Sequence, residues 1–177
     1  VWQYKLAPET INLPATEIVE EIQIFDISLK GSECDLSVLR CIDAVIPFNI
    51  FYRLLSGDSV RFTTAFKRPS EVSNEKFVID RYFSSDWLPV DSICEPLPIA
   101  LNLQSLYEQM LQTLLPSSQR QAESLNDQVS RFSELQKKQT ELQKLESRLQ
   151  KEKQFNRKVE INAQIRILKI TISQLEN

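Results

Sequence analysis

The sequence contains no histidine. Its absence excludes Ser-His-Asp and Cys-His catalysis and every metal site that depends on an imidazole. Glycine occurs only at Gly31 and Gly57. A loop that cradles phosphate on backbone N–H groups needs several glycines within a few residues, so a P-loop and a dinucleotide fingerprint are both excluded. Cysteine is confined to Cys34, Cys41 and Cys94, an odd number without C-x-x-C spacing. That usage reads as reduced, partly buried thiols of a cytoplasmic protein and not as a disulfide frame. No apolar run approaches the roughly 20 residues needed to span a bilayer, and no secretory leader is visible. The composition therefore calls for no cofactor, no metal and no membrane.

What is present is a chain of 177 residues, 42% hydrophobic and 25% charged, enough for one ordinary domain and an appendage. The charge is divided unevenly. Residues 1–116 hold 9 basic against 16 acidic groups, and residues 117–177 hold 12 against 8. The balances of −7 and +4 mark two segments with different surroundings, an α+β domain over 1–116 and a helical coiled-coil segment over 117–177.

In the first segment, VWQYKL alternates with the period of a half-buried strand already under way at Val1, so further residues are expected upstream. APETINLP, bracketed by Pro8 and Pro14, reads as a loop or a short extended piece. In EEIQIFDISLK the alternation slips near Phe25, as a bulge or a strand buried on both faces would require. Asp35 can cap a helix that Pro47 ends, and Ser56-Gly57-Asp58 joins NIFYRLL and SVRFTTAFK as a hairpin. KFVIDRYF adds a strand, residues 88–98 a covering loop, and Leu103, Leu106, Met110 and Leu114 one side of a helix. The strand–helix–strand crossover predicts one parallel pair among antiparallel neighbours. The expected fold is a small mixed sheet of about five strands with helices on one face.

From Gln119 onward proline and glycine disappear, and Pro116-Ser-Ser is positioned to cap a helix. Leu135, Leu142 and Leu149 keep a seven-residue step with Leu145 beside them, whereas Ile161, Ile165, Leu168, Ile172 and Leu175 follow at four, three, four, three. The two registers do not align. A continuous helix with a stutter, roughly 90 Å long, would explain this, as would a hairpin turning near Gln154–Arg157. The poor helix former Asn156 and the clean new register favour the hairpin, with Phe155 packed across the break. The five aliphatic residues of the second register need cover from the first helix, the α+β domain or a second subunit, so a homodimer through the helices is an open alternative.

Candidate chemistry is sparse. Asp26, among apolar neighbours on a strand, has the surroundings of a metal ligand or general acid, but also of a hydrogen-bonded strand residue. The Glu/Gln-x-Lys tripeptide of restriction-type nucleases is not met, because Glu21 and Gln23 precede no lysine at the required spacing. Lys5, Glu9 and Thr10 lie at a strand end, where binding groups and plain turns both occur. Lys67-Arg68 reads as a phosphate contact or a solvated pair. Lys151, Lys153, Arg157 and Lys158 form the densest basic cluster, either a nucleic-acid contact or a solvated flank with Glu152 and Glu160 as partners.

The succession YKLAPETINL, EIQIFDISLK, AFKR, SSDW, LYEQ and EKQFNRKVEIN resembles an uncharacterised prokaryotic family, domain-of-unknown-function family 4391. The resemblance covers nearly the whole chain and is most specific in QFNRKVEIN; AFKR stands where an aromatic-Lys-Arg would be more typical. It implies members extended at the N-terminus and genes set beside helicases and DNA methyltransferases of restriction or phage-defence loci. It supplies no catalytic residues. The expected function is a non-enzymatic accessory subunit docking such a helicase or methyltransferase, with a divergent metal-dependent nuclease and a nucleic-acid-binding module as the alternatives.

Overall fold

A computed structural model describes residues 1–69, 77–92, 96–116 and 119–176. The chain forms two compact units, Val1–Pro116 and Ser117–Asn177. In the first, β1 (Trp2–Leu6), β2 (Ile22–Ser28), β3 (Asn49–Ser56), β4 (Ser59–Pro69) and β5 (Phe77–Ser84) lie in that order across one sheet. A two-residue β6 (Leu88–Pro89) pairs with the start of β4, so the covering loop expected at 88–98 adds a sixth strand. Among the described strands only β2 and β3 run parallel, because α2 (Leu36–Val45) makes the crossover between them. The turn from β3 to β4 places Gly57 at φ 55°, a left-handed conformation that costs glycine little.

Helix α2 starts where the Asp35 carboxylate accepts from Ser37 N at 2.8 Å. It ends at Ile46, whose extended backbone (φ −99°, ψ 113°) is the conformation a following proline imposes. Leu39 of α2 packs on Ile50, Tyr52 and Leu54 of β3. On the other side, α3 (Leu103–Gln112) sets the Tyr107 ring edge-on to Phe51, 5.8 Å between centroids. Phe51 and Tyr52 are neighbours on one strand and point to opposite faces, so helices cover both faces and not one as expected. The slip of alternation near Phe25 has the same origin. The β2–β3 register is unbroken from Ile22 to Ser28, and the bulge lies in β1, between Trp2 and Tyr4.

Two further expectations shift. APETINLP is not a loop but holds the short helix α1 (Pro8–Ile11), with Pro8 in the first turn and Asn12 closing it at φ 55°. The buried side of α3 is Leu103, Leu106, Tyr107 and Leu111, while Met110 and Leu114 are half-buried. Burying the Tyr107 ring is offset by a hydrogen bond from its hydroxyl to Ala65 O at 2.5 Å.

The second unit is a hairpin of α4 (Leu125–Lys151) and α5 (Phe155–Glu176), as the mismatch of registers favours. Leu135, Leu168 and Ile172 form its buried seam with Leu142, Leu145 and Leu175 against them. Helix α4 does not begin after Pro116-Ser-Ser, whose serines lie outside the described residues. It begins at Leu125, where Ser124 Oγ accepts from Asp127 N at 3.2 Å. The preceding turn, with Ala122 at φ 59°, brings Arg120 onto Gln174 O at 2.7 Å, and Arg131 donates to Leu175 O at 3.0 Å. Two guanidinium groups thus satisfy the final carbonyls of α5 and complement its dipole.

Candidate functional site

Asp26 lies beside Arg53 in the β2–β3 register, and the two side chains approach at 3.4 Å. The acid is 14% exposed, and its counter-charge comes from the neighbouring strand. A metal ligand at this position would need further carboxylates around it, and among the described residues no group of three or more His, Cys, Asp or Glu side chains is placed to hold an ion.

Lys5, Glu9 and Thr10 are brought together with Glu21, which the sequence did not add to the set. Lys5 Nζ lies 2.8 Å from Glu9 and 3.0 Å from Glu21. Glu9 and Glu21 raise the Lys5 ammonium above its ordinary range, and Lys5 lowers the Glu9 carboxyl. Thr10 Oγ1 accepts from Ala7 N at 2.8 Å and donates to Lys5 O at 2.8 Å. Both roles hold the corner between β1 and α1 together.

Lys67 is neither solvated nor free to meet phosphate, contrary to either reading of Lys67-Arg68. Its side chain is 5% exposed, 2.9 Å from Asp43, and donates to Phe48 O at 2.6 Å. Arg68, the next residue, is exposed. Asp43 also accepts from Tyr82 Oη at 2.6 Å. Burial, followed by the Asp43 carboxylate, lifts the phenols of Tyr82 and Tyr52 far above their usual range, so both remain protonated. This network ties α2 to β4 and β5. The signal that could have found it, an acid on the strand-facing side of an amphipathic helix, is Asp43 in CIDAVI. Of the cysteines, Cys34 is half-buried as expected, Cys41 is exposed and not partly buried, and both are free thiols. Cys94 lies outside the described residues.

In the hairpin, Ile161, Ile165, Leu168 and Ile172 are buried, and Leu142, Leu145, Leu149 and Leu175 are half-buried. Phe155 is the exception among the expected interface residues. It does not pack across the break but opens α5 at 77% exposure. The turn is Glu152–Gln154, earlier than expected, because the Glu152 carboxylate accepts from Lys153 N at 2.8 Å and Gln154 N at 2.9 Å. These two bonds, then Arg157 and Arg148, hold the Glu152 carboxyl below its ordinary value. Lys151, Lys153, Arg157 and Lys158 surround this turn, all exposed.

Helix α5 has a second apolar stripe. Val159 (53% exposed), Ala163, Ile167 (66%) and Ile170 (56%) follow at steps of four, four and three. At 3.6 residues per turn this stripe is centred about 180° from the buried seam. Lys158, Asn162, Arg166, Lys169 and Ser173 line one edge of it, and Asn156, Glu160, Gln164 and Thr171 the other. Lys169 pairs with Glu146 of α4 at 3.1 Å, while Lys158 and Arg166 have no ion pair among the described residues.

A mixed sheet helical on both faces, followed by a basic helical hairpin with a second, exposed apolar stripe, defines an α+β protein with an appended helical hairpin. The chain belongs to the DUF4391 family, described as a domain of unknown function, which it matches over residues 1–172. No curated protein and no solved structure matches it. Among the described residues no helix is long and apolar enough to cross a membrane.

Proposed function

We propose that this chain is a non-enzymatic docking subunit of a prokaryotic, restriction-like DNA-defence complex, in which α5 receives a helix of a larger helicase or methyltransferase. The observation that carries the reading is the second stripe of α5. Helix α4 already covers the first, yet Val159, Ile167 and Ile170 remain more than half exposed. Burying three aliphatic side chains contributes about 5 kcal/mol, comparable with the net stability of a small domain. The partner class rests on the family resemblance and its gene neighbourhood.

The edges of the stripe favour a helix flanked by carboxylates over a second copy of this chain. Lys158, Arg166 and Lys169 line one edge, and Glu160 is the sole charge on the other. Two copies paired antiparallel bring the basic edge against itself; paired parallel, they set three cations against one glutamate. An acid-flanked helix compensates all of them.

Sedimentation of the purified chain tests the choice of occupant. The proposal expects a monomer at high micromolar concentration. A dimer that is lost in an Ile167→Glu, Ile170→Glu protein would assign the stripe to self-association. The geometry at Asp26 favours docking over the nuclease alternative, because its carboxylate is 3.4 Å from Arg53, as in an internal ion pair.

A further inference from the structure

We infer a second binding site, at the closed end of the hairpin, for single-stranded nucleic acid. Phe155 supplies the stacking surface, and Arg148, Lys151, Lys153, Arg157 and Lys158 supply the phosphate contacts. The site goes beyond protein docking and uses a different part of the hairpin.

The positive balance of the second unit is wholly local to this turn. Residues 148–158 hold those five cations against Glu152 alone, and the remainder of 117–177 is balanced at 7 against 7. At 1.5 Å per residue, Arg148 and Lys158 are each within about one helical turn of Glu152–Gln154. None of the five is in an ion pair among the described residues. Glu152 commits one carboxylate oxygen to the backbone of Lys153 and Gln154.

Helix stability does not account for the cluster. Arg148 and Lys151 suit the C-terminus of α4, but Arg157 and Lys158 lie in the first turn of α5, where the helix dipole disfavours positive charge. An anionic ligand removes that conflict. Two further features specify its kind. A shallow open groove runs back from the turn along α4, lined by Thr140, Gln143, Lys144, Ser147, Arg148 and Lys151, which are cations, hydroxyls and an amide with no carboxylate. Such a lining follows a phosphate–sugar backbone. The Phe155 ring, 77% exposed beside the cations, offers a face on which an unpaired base can stack and a duplex cannot.

The 177-residue chain is titrated into fluorescently labelled oligothymidylate and oligouridylate across a range of salt. Binding of either supports the site, and the preference between them tells DNA from RNA. The logarithm of the association constant should fall against log salt with a slope of about −3, as four or five single-strand phosphate contacts require. Lys151→Glu, Lys153→Glu should weaken binding at least tenfold and flatten the slope. Phe155→Ala should weaken it about tenfold with slope and thermal unfolding unchanged. No binding at low salt, or binding indifferent to both variants, overturns the inference. Binding to phosphatidylserine vesicles but not to oligonucleotide overturns it in favour of a membrane surface. A Phe155→Ala protein that keeps oligonucleotide affinity but loses a protein partner overturns the stacking role and returns Phe155 to the docking stripe, one turn before Val159.

Discussion

The ammonium of Lys67 and the carboxylate of Asp43 lie 2.9 Å apart, with side chains 5% and 0% exposed. One belongs to β4 and the other to α2, so the pair fastens the crossover helix to the sheet. Removing one partner leaves the other buried without its counter-charge. Asp43→Ala should therefore lower stability by about 3–5 kcal/mol, read as the shift of the urea midpoint. The double replacement Asp43→Leu, Lys67→Met should recover part of that loss, since an apolar pair avoids desolvating two charges but leaves the Tyr82 hydroxyl and Phe48 O without these partners.

The two stripes of α5 should separate stability from docking. Leu168, 8% exposed in the seam, should cost about 2–4 kcal/mol when changed to alanine. Ile167, one residue earlier and 66% exposed, should cost less than about 0.5 kcal/mol. Thermal unfolding of the two single variants measures the contrast directly.

Acid should loosen the open end of the hairpin. The Arg131 guanidinium, 2.7 Å from Glu123, is the main cause that holds its carboxyl down at about 2. The folded value lies below the unfolded one of about 4.3, so the stabilisation is complete above that pH and is lost as pH falls towards 2. The melting temperature should drop through this window, and the drop should be smaller in Glu123→Gln. Equal drops in the two proteins would place the acid sensitivity elsewhere.

The Asp26–Arg53 pair is half-buried, and its loss should be mild. Asp26→Ala should reduce stability by about 1 kcal/mol and leave complex formation intact. Loss of a nuclease activity in that protein, with its fold retained, would support the metal-dependent alternative.

Much of the architecture was legible in local pattern. Asp35 before an amphipathic run, Pro47 after it and Gly57 between two strands are short-range signals, and the structure uses each of them. The hairpin was legible because the step through Leu142 and Leu149 does not continue into Ile161. The position of its turn was not, because the Glu152 carboxylate caps the backbone there, whereas the weak helix former Asn156 lies inside the first turn of α5. Lys67 was misread because its partner, Asp43, is distant in sequence and only the sheet brings them together. The slip at Phe25 admitted two explanations until both neighbours of β2 were known. The second stripe of α5 was present in the sequence, but Ile167 and Ile170 alternate with the seam residues Leu168 and Ile172, and no period separates a covered face from a bare one.

The central claim, docking through the bare stripe of α5, is tested most directly by purifying the native complex from its host. Tagged wild-type chain and an Ile167→Glu, Ile170→Glu chain of unchanged melting temperature are compared. The account predicts that the wild-type chain brings down a helicase or methyltransferase in fixed ratio and that the variant comes down alone. A partner retained in equal amount by both, or a wild-type chain that purifies without one, would contradict it.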